Sequence, residues 1–518
     1  MELALPEENG EAPDPDWWAA LNLSRFVGEK LQLTLRRPDG GELGPDPQQI
    51  VRFRDTLTDA DDLYRESLRP QFHFTPRRGW NNDPNGLVYY RPRARQSVGD
   101  LGGEYHLFFQ HNPFGVKWGN MHWGHAVSTD LVHWTELSEA LYPRSLDDMA
   151  FSGGGTVDSR NTGNFKTGPE DPIVITFTST GRGECLAYSN DCGRSFREYD
   201  GNPVIEHRGR DPRPLWYEPE KKWIAVVYDE TDDKPGYAFY DSKNLKTWTR
   251  RSVVPGFYEC PDLFQLPLDG DRFRKKWILY GAERREENGE TRVSRSSYQI
   301  GTFDGTTFHP ETPILTGHRG PRFYAAQTFS NVPDGRHILM GWLNGAVYPD
   351  MPFSQGMTVP LELSLKTTPD GPRLFFTPVR ELETLRVDSE TVANADEKAA
   401  NRMLEAGNAE LLDLELALDT PEKGNVKLHV RGVTIIYDAG AGTLTCGETA
   451  APVTPVDGRL DLRLLVDRGV LELYADHGRV AFAAAGHAPN GVDPLRLETP
   501  AETNLPNATL HTLRPAWQ

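Results

Sequence analysis

Short apolar runs separated by polar turns recur along most of the chain, a pattern typical of an all-β protein. From residue 105 onward the clearest runs are four to six residues long and rich in aromatic and β-branched side chains. Gly, Asp, Asn and Pro fill the intervals, and no long amphipathic pattern interrupts them. Examples are residues 105–109, 173–177, 223–228 and 277–280. The even spacing predicts a sandwich, a barrel or a propeller.

An internal repeat favours the propeller. Four segments combine the end of a strand, a polar turn and an aromatic residue; they span residues 128–134, 189–196, 241–248 and, more faintly, 302–308. They recur roughly every 50–60 residues, the length of a four-stranded propeller blade. Hairpins that end on an aromatic residue by chance are the alternative, and four copies at similar spacing count against it. Between about residues 71 and 366 there is room for five blades.

The chain before the repeat region predicts only a short N-terminal β extension, residues 1–70. Residues 1–13 are rich in Glu, Gly and Pro and are expected to be disordered. A period-two pattern at residues 31–35 predicts one strand. So short a segment is expected to be a remnant of an upstream β module and not a complete domain.

After the predicted propeller, residues 71–370, the composition changes again. Tryptophan is absent from the last part of the chain until Trp517, while strand patterns continue. Residues 380–518 are therefore predicted to form a C-terminal β-sandwich. Residues 388–410 have a loosely helical pattern and are expected to act as a connector. The predicted fold class is all-β, a propeller followed by a sandwich.

Charge and hydropathy exclude several classes of partner. The net charge is −19, so nucleic acid and anionic membrane surfaces are not expected as partners, whereas a neutral ligand such as a sugar fits. No run approaches the roughly 20 apolar residues of a membrane span. The first residues, Met1 to Ala4, run directly into acidic residues, so no signal peptide is visible.

The cysteines and histidines give no indication of a metal or redox site. Four cysteines are too few for a disulfide framework and form no paired C-x-x-C pattern, although Cys185 and Cys192 could pair if two strands met there. His122 and His125 lie three apart in a strand-like run, which places them on opposite faces. We therefore predict no metal and no cofactor.

One carboxylate lies on a stiff polar stretch, residues 80–86. Pro84 fixes its own φ and biases Asp83 toward an extended backbone. Asn85 and Gly86 predict a tight turn, after which a buried strand is expected to begin at Leu87. An Asx-type turn that merely starts a strand is the plain alternative for this stretch alone.

Two further carboxylates favour a functional role for Asp83 over a plain turn. Asp211 also precedes a proline, beside Arg210, and Glu259 lies in a compact, partly apolar turn. Burial against Tyr258 and Cys260 would favour the protonated carboxyl that a general acid needs. Since the innermost strand of each propeller blade faces the central channel, carboxylates from different blades can converge there. A glycosidase requires such a pair, one as nucleophile and one as acid.

Several ordered motifs resemble glycoside hydrolase family 32, the invertase, levanase and inulinase group. The resemblance extends from about residue 69 into the predicted sandwich. The matching motifs are Trp80-Asn81-Asn82-Asp83-Pro84-Asn85-Gly86, Phe109-Gln110-His111-Asn112-Pro113, residues 118–125, Phe151-Ser152-Gly153, Arg210-Asp211-Pro212 and Glu259-Cys260-Pro261-Asp262-Leu263. In the first motif Asn81 replaces the commoner methionine.

The resemblance implies a five-bladed propeller, a β-sandwich and retaining hydrolysis of a terminal β-fructofuranosyl unit of sucrose, inulin or levan. By motif, Asp83 is the implied nucleophile, Glu259 the general acid/base and Asp211 the transition-state stabiliser. The implied sugar pocket consists of Trp80, Asn82, Gln110, Trp118, Phe151, Ser152, Arg210, Tyr324 and Trp342.

Two departures from the family pattern concern the rim of the pocket. Arg322 stands where many relatives have Asp, and an aromatic residue common in the family is absent around residues 352–357. Substrate preference therefore stays open, as do transfer in place of hydrolysis, endo cleavage, and a fructan-binding propeller without activity. A homodimer is possible, and the substrate class favours a secreted or periplasmic location.

Overall fold

The computed structural model of this chain describes most of its residues. The described ranges are residues 2–4, 18–21, 23, 28–32, 51–58, 60–93, 102–231, 235–287, 290–407, 409–485, 495–501 and 503–517. Its first sheet has three strands in the order β2-β1-β3, with β1 at Glu2–Ala4, β2 at Trp18–Ala20 and β3 at Val51–Arg52. Arg78 ties this sheet to the next domain, since its guanidinium donates to the carbonyl oxygens of Trp18 and Thr58.

Five antiparallel blades follow, and each begins with its innermost strand. Blade 1 comprises β4 (Gly79–Tyr90), β5 (Glu104–Asn112), β6 (His122–Ser128) and β7 (Thr135–Glu136). Blade 2 comprises β8 (Ala150–Phe151), β9 (Gly155–Val157), β10 (Ile173–Ser179), β11 (Gly183–Ser189) and β12 (Arg197–Glu198). Blade 3 comprises β13 (Gly209–Tyr217), β14 (Lys222–Asp229), β15 (Gly236–Ser242) and β16 (Thr249–Pro255).

The last two blades share one sheet. Blade 4 comprises β17 (Phe257–Leu268), β18 (Asp271–Glu287), β19 (Glu290–Phe303), β20 (Phe308–Pro310) and β21 (Leu315–Thr316). Blade 5 comprises β22 (Phe323–Thr328), β23 (Ile338–Leu343), β25 (Leu361–Thr368) and β26 (Gly371–Pro378), while the short β24 (Phe353–Ser354) pairs with the start of β4. The innermost strands contact one another in the order β4, β9, β13, β17, β22 and back to β4, so the blades close into a ring. The predicted five-bladed propeller is confirmed.

The four sequence repeats are the turns between the third and fourth strands of blades 1 to 4. In each turn an Asp or Asn side chain accepts hydrogen bonds from backbone N–H groups further along, as Asp130 does from Val132 and His133. The residue after it has a left-handed backbone in every copy; these residues are Leu131, Cys192, Leu245 and Gly305. The repeat is therefore a side-chain-capped turn that joins the two strands.

The C-terminal part is a two-sheet sandwich, as predicted. One sheet has the order β27-β37-β28-β33-β34-β35 and the other β32-β31-β30-β29-β36. The strands are β27 (Arg386–Ala395), β28 (Leu411–Asp419), β29 (Asn425–Val430), β30 (Val433–Asp438), β31 (Thr443–Cys446), β32 (Thr449–Pro452), β33 (Arg459–Asp467), β34 (Val470–Ala475), β35 (Val480–Ala485), β36 (Arg496–Glu498) and β37 (Leu505–Leu513). Alternate residues of both sheets, such as Leu414, Leu416, Leu428 and Ile435, form the core between them.

A buried ion cluster joins the propeller to the sandwich. The Asp467 carboxylate, at the end of β33, accepts hydrogen bonds from the backbone N–H groups of Gln71, Phe72 and His73 at 2.6–2.9 Å. The ring Nδ1 of His73 lies 2.8 Å from the same carboxylate, and its Nε2 lies 3.4 Å from Glu472. The side chains of His73, Asp467 and Glu472 are fully buried, so the first residues of the propeller are fixed on the sandwich.

Several expectations differ from the structure. Residues 2–4 form a strand although residues 1–13 were expected to be disordered; residues 1 and 5–13 lie outside the described residues. Leu31 and Gln32 are not in a strand, and residues 33–35 of that prediction also lie outside the description. The connector is helical only at α1 (Glu397–Ala406), because residues 386–395 pair with β37 as a strand.

The four cysteines are free, so the Cys185–Cys192 pair that the spacing left open does not form. Cys185 lies inside β11, which runs on to Ser189 before the turn that holds Cys192. At about 3.3 Å per strand residue, the two Cα atoms are separated by more than the ~7 Å that a disulfide can bridge. Within the described ranges, no helix has the length and apolar character of a membrane span.

Candidate active site

A ring of β-bulges at the start of the innermost strands forms one end of the channel. The register breaks between Asn81 and Pro84 in β4, Arg210 and Arg213 in β13, Tyr258 and Asp262 in β17, and Tyr324 and Gln327 in β22. In blade 2 the innermost strand is broken between β8 and β9. Bulges turn side chains away from the regular alternation and occur next to active sites. This ring carries the three carboxylates singled out in the sequence.

In three of these bulges a proline directly follows the residue at which the strand becomes irregular. Pro84, Pro212 and Pro261 lack the N–H that a regular ladder needs, so they fit at a bulge. Asp211, Glu259 and Cys260 have φ of 66°, 31° and 50°, the left-handed region that side chains other than glycine rarely adopt. Such backbone strain is held by the surrounding structure and is concentrated at functional sites.

Asp83 lies inside β4, which begins at Gly79 and not at Leu87 as the turn signal predicted. The Asn85-Gly86 stretch is not a turn but an irregularity within the strand, where Gly86 has φ of 56°. Gly86 donates its N–H to the Gly153 carbonyl, and a Cβ built on it would lie 2.8 Å from the Phe108 ring. The left-handed backbone and the close contact with Phe108 of β5 therefore require glycine at this position.

Polar neighbours hold the half-buried Asp83 carboxylate. Ser152 donates its hydroxyl to Oδ2 at 2.6 Å, and the side-chain amide of Asn82 donates to Oδ1 at 3.2 Å. The indole N–H of Trp80 donates to Asn82 Oδ1 at 2.8 Å and fixes that amide. Burial raises the pKa of Asp83, and the charge of Glu259 adds to the increase, whereas Ser152 and Asn82 oppose it.

Glu259 is held from two sides. The Tyr324 hydroxyl donates to one of its carboxylate oxygens at 2.7 Å, and the Arg210 guanidinium lies 3.1 Å from the other. Tyr324 comes from blade 5 and Arg210 from blade 3, so three blades fix the position of this carboxyl. Burial raises the pKa of Tyr324, and the charge of Glu259 raises it further, which keeps its proton available for donation.

Cys260 connects the three carboxylates. Its backbone N–H donates to Asp211 Oδ2 at 2.8 Å, and its Sγ lies 3.7 Å from Asp83 Oδ2. Glu259 precedes it in the chain. Burial raises the pKa of Asp211 well above its usual range, and Glu259 adds to this, while Arg210 opposes it. Burial and the neighbouring negative charges therefore both disfavour the ionised form of Asp211.

The predicted sugar-pocket residues all lie around these carboxylates. Aromatic rings form one wall: Trp342 lies 6.2 Å, centroid to centroid, from both Trp80 and Tyr324. Trp118 and Phe151 form an edge contact at 6.0 Å on the side of Ser152, and Trp118 is exposed. Buried Gln110 donates to the Ala150 carbonyl at 2.9 Å. Aromatic faces and amides in this arrangement suit a small neutral sugar.

No metal-binding cluster of three or more His, Cys, Asp or Glu side chains occurs among the residues that the structure describes. His122 and His125 face opposite sides of β6. The ring Nδ1 of His122 lies 2.7 Å from the Asn120 carbonyl, whereas Nε2 of His125 lies 3.0 Å from His106.

Sequence reasoning missed several residues that support the site. The side-chain oxygen of Gln355 accepts a hydrogen bond from the Trp342 indole N–H at 3.2 Å. The Thr178 hydroxyl oxygen accepts one from the Asp211 backbone N–H at 2.9 Å. Buried Arg213 pairs with Asp262 at 2.9 Å below the carboxylates. Arg213 also donates to the Thr328 carbonyl, so it links blades 3, 4 and 5. Only Asp262 lay in a recognised motif; the other residues carry no local signal.

The two departures from the family pattern lie in and beside blade 5, and their place at the rim of the pocket stays a prediction. Arg322 directly precedes β22, is half-buried and donates weakly to the Asn344 carbonyl at 3.4 Å. Arg295 lies over the Tyr324 ring at 5.5 Å. In residues 352–357, where the common aromatic residue is absent, Phe353 is buried and Gln355 accepts the hydrogen bond from the Trp342 indole.

Comparison with known proteins gives one consistent result. Residues 73–378 match the glycosyl hydrolases family 32 N-terminal domain, and residues 381–485 match the glycosyl hydrolases family 32 C terminal. The chain is 37% identical over 528 residues to a levanase of Bacillus subtilis, covering 91% of this chain and 75% of that protein. It is 30% identical over 531 residues to an extracellular exo-inulinase of Aspergillus ficuum, covering 88% and 96%.

Solved structures agree. The crystal structure of exo-inulinase from Aspergillus awamori superimposes with a TM-score of 0.74 at 26% identity and covers 88% of this chain and 100% of that one. A β-fructofuranosidase from Schwanniomyces occidentalis, complexed with fructosyl-erythritol, gives the same TM-score and identity, covering 88% and 99%.

Proposed function

The chain belongs to glycosyl hydrolase family 32, and on that premise we propose that it is a retaining, exo-acting β-fructosidase. It hydrolyses the glycosidic bond of terminal, non-reducing β-D-fructofuranosyl units in sucrose, inulin or levan. We propose that residues 71–370 form the catalytic domain, that residues 380–518 form the supporting sandwich and that residues 1–70 are an accessory extension.

In this mechanism Asp83 attacks the anomeric carbon of the fructosyl unit while Glu259 protonates the departing oxygen. A covalent fructosyl-enzyme forms, and Glu259 then takes a proton from the water that hydrolyses it. Asp211 holds sugar hydroxyls and stabilises the positive charge that develops on the ring. The pocket of Trp80, Asn82, Gln110, Trp118, Phe151, Ser152, Arg210, Tyr324 and Trp342 orients the fructosyl unit.

One observation carries this proposal: carboxylates from blades 1, 3 and 4 meet around Cys260, and each has a different set of partners. Asp83 is half-buried and accepts from neutral donors, Ser152 and Asn82, which oppose its protonation and keep it available as a nucleophile. Glu259 has a tyrosine hydroxyl and a guanidinium on its two oxygens, which places it to give and take a proton. A protein that only bound fructans would not need this division of roles.

A substrate panel tests the proposal. Release of fructose from sucrose, inulin and levan is measured for the wild type, Asp83→Asn and Glu259→Gln. Two exposed residues of the C-terminal sandwich, changed as Asp457→Asn and Glu405→Gln, are the matched controls. We expect the site variants to lose about 10³-fold or more in kcat and the controls to keep wild-type activity.

Other outcomes have definite meanings. Unchanged activity in either site variant would overturn the assigned roles. Larger oligosaccharides without free fructose would replace exo hydrolysis with transfer or endo cleavage. Binding of fructan without turnover by the wild type would favour the non-catalytic propeller. Sedimentation of the same preparation tests the homodimer, which stays a prediction.

A further inference from the structure

A buried charged chain of side chains lies behind Asp211, outside the sugar pocket. The ring Nε2 of His207 donates to Glu184 Oε1 at 2.7 Å, and its Nδ1 lies 3.6 Å from the Asp229 carboxylate. The side chains of His207, Glu184 and Asp229 are at most 4% exposed. Asp229 also accepts from the Tyr240 hydroxyl at 3.1 Å and from Arg250 at 3.2 Å. Blades 2 and 3 both contribute to this cluster.

From Glu184 the chain continues to the backbone of the catalytic centre. The Thr178 hydroxyl donates to Glu184 Oε2 at 2.7 Å, and its oxygen accepts the backbone N–H of Asp211 at 2.9 Å. The backbone N–H of Thr178 in turn donates to the carbonyl of Ser152, the residue whose hydroxyl holds Asp83. Thr178 thus contacts both the backbone of Asp211 and the backbone of Ser152, which holds Asp83.

The segment that this chain holds is strained and crowded. Asp211 has φ of 66° and is followed by Pro212, so its backbone would relax elsewhere if it were not fixed. A Cβ built on Gly209 would lie 2.0 Å from the Tyr228 carbonyl oxygen and 2.6 Å from the His207 ring. Glycine at 209 therefore lets the strand approach His207 closely on its way to Asp211.

We propose that His207, Glu184 and Thr178 are positioning residues that hold the left-handed backbone of Asp211, so that its carboxylate stays aimed at the fructosyl ring. The inference rests on the role proposed for Asp211 above. The Thr178 hydroxyl acts on Asp211 through that backbone N–H, and none of the three side chains belongs to the proposed sugar pocket.

The charge state of the chain supports a permanent clamp. Burial alone would lower the pKa of His207, but the carboxylates of Asp229 and Glu184 outweigh it and raise it to about 9. His207 therefore remains a cation throughout the neutral range. Burial raises the pKa of Glu184, and its hydrogen bond to His207 opposes that rise; a charge-assisted hydrogen bond between the two is stronger than a neutral one.

Thr178 offers a matched pair of variants. Thr178→Val keeps the shape but removes the acceptor for the Asp211 N–H and the donor to Glu184, whereas Thr178→Ser retains both. Because misplacement of a catalytic group by about 1 Å costs roughly 10²-fold, we expect Thr178→Val to lose about 10- to 100-fold in kcat on sucrose. KM should change by less than kcat, since every other residue of the proposed sugar pocket is intact. Thr178→Ser should remain within about threefold of the wild type.

The decisive measurement repeats Thr178→Val in an Asp211→Asn background. If Thr178 acts through Asp211, the two losses are not additive, and Thr178→Val costs less than about threefold there. The same cycle with His207→Gln, which can still donate to Glu184 but carries no charge, gives a second test if the valine variant folds poorly; folding is checked by circular dichroism.

The outcomes separate the two proposals. Equal loss from Thr178→Val in both backgrounds, or an equally large loss in Thr178→Ser, would overturn the positioning role and leave the role of Asp211 intact. An Asp211→Asn variant with wild-type kcat would overturn the role of Asp211 itself and the inference with it.

Discussion

The buried ion cluster between the propeller and the sandwich gives a quantitative prediction about stability. In an Asp467→Asn variant the carboxylate that accepts three backbone N–H groups and contacts His73 becomes a neutral amide. The NH₂ group of that amide is a donor, so it cannot accept hydrogen bonds from the backbone N–H groups. His73 then keeps only Glu472, at 3.4 Å, as an acidic neighbour.

The loss of folding free energy in this variant follows from the burial of the ion pair. Loss of one partner from a buried ion pair costs about 3–5 kcal/mol. Burial would lower the pKa of His73, yet Asp467 and Glu472 together raise it from 6.5 to about 9, which corresponds to the order of 3 kcal/mol for the two carboxylates combined, at about 1.4 kcal/mol per pKa unit. We expect the variant to lose about 3–5 kcal/mol, or on the order of 3–5 °C in Tm for a chain of this length.

The dependence on pH has a definite sign. Because the folded-state pKa of His73 is raised, its contribution is fully present below about pH 6.5 and declines as pH rises through about 9. The Tm difference between wild type and variant should therefore be largest below pH 6.5 and shrink toward pH 9, without vanishing, since the backbone hydrogen bonds to the carboxylate persist.

Differential scanning calorimetry at several pH values measures this. The matched control is Asp461→Asn, whose carboxylate is half-buried on the same sheet and lies 3.5 Å from exposed His477; its Tm should move by less than about 2 °C. Fructose release at 25 °C should be unchanged in both variants. A Tm loss in Asp467→Asn no larger than in the control, or a difference that grows with pH, would refute the reasoning.

Three further predictions concern the site. Ser152→Ala removes a hydrogen bond that lowers the pKa of Asp83, so the acid limb of the kcat/KM profile on sucrose should move to higher pH; a limb that stays in place would contradict this. Tyr324→Phe removes the donor to Glu259 and should reduce kcat on sucrose about 10- to 100-fold but much less on an activated aryl fructoside, which needs little acid assistance; equal losses on both substrates would count against the acid role. Trp342→Ala should raise KM for sucrose about fivefold with a smaller change in kcat, since an aromatic contact is worth about 1 kcal/mol; an unchanged KM would place Trp342 outside the pocket.

The propeller could be predicted from the sequence because its repeated turn imposes a local requirement. An Asp or Asn must cap the turn and the next residue must adopt a left-handed backbone, as at Asp130 and Leu131. The start of β4 could not be predicted in the same way. Asn85 and Gly86 have the local signature of a turn, but contact between Gly86 and Gly153 from the next blade keeps them within one strand.

The candidate carboxylates could be recognised because each precedes a proline by one or two residues, and the structure has a bulge at each of these prolines. The residues that hold these carboxylates in place could not be recognised from the sequence. Thr178, Glu184 and His207 are common residues without a motif, and they meet only because two blades pack side by side. The same limit applies to the contacts of Tyr324 and Arg210 with Glu259: the resemblance to a known family placed both residues in the sugar pocket but did not pair them with this carboxylate.

The central claim is that Asp83 is the nucleophile of a double displacement that Glu259 assists. A Glu259→Ala variant, incubated with an activated aryl β-fructofuranoside, should form the covalent intermediate quickly and hydrolyse it slowly. Mass spectrometry of the digested protein should then find one fructosyl unit on the peptide that contains Asp83, and none when Asp83 is also changed to Asn. A fructosyl unit on another peptide, or steady turnover with no modified peptide at any time, would contradict the account.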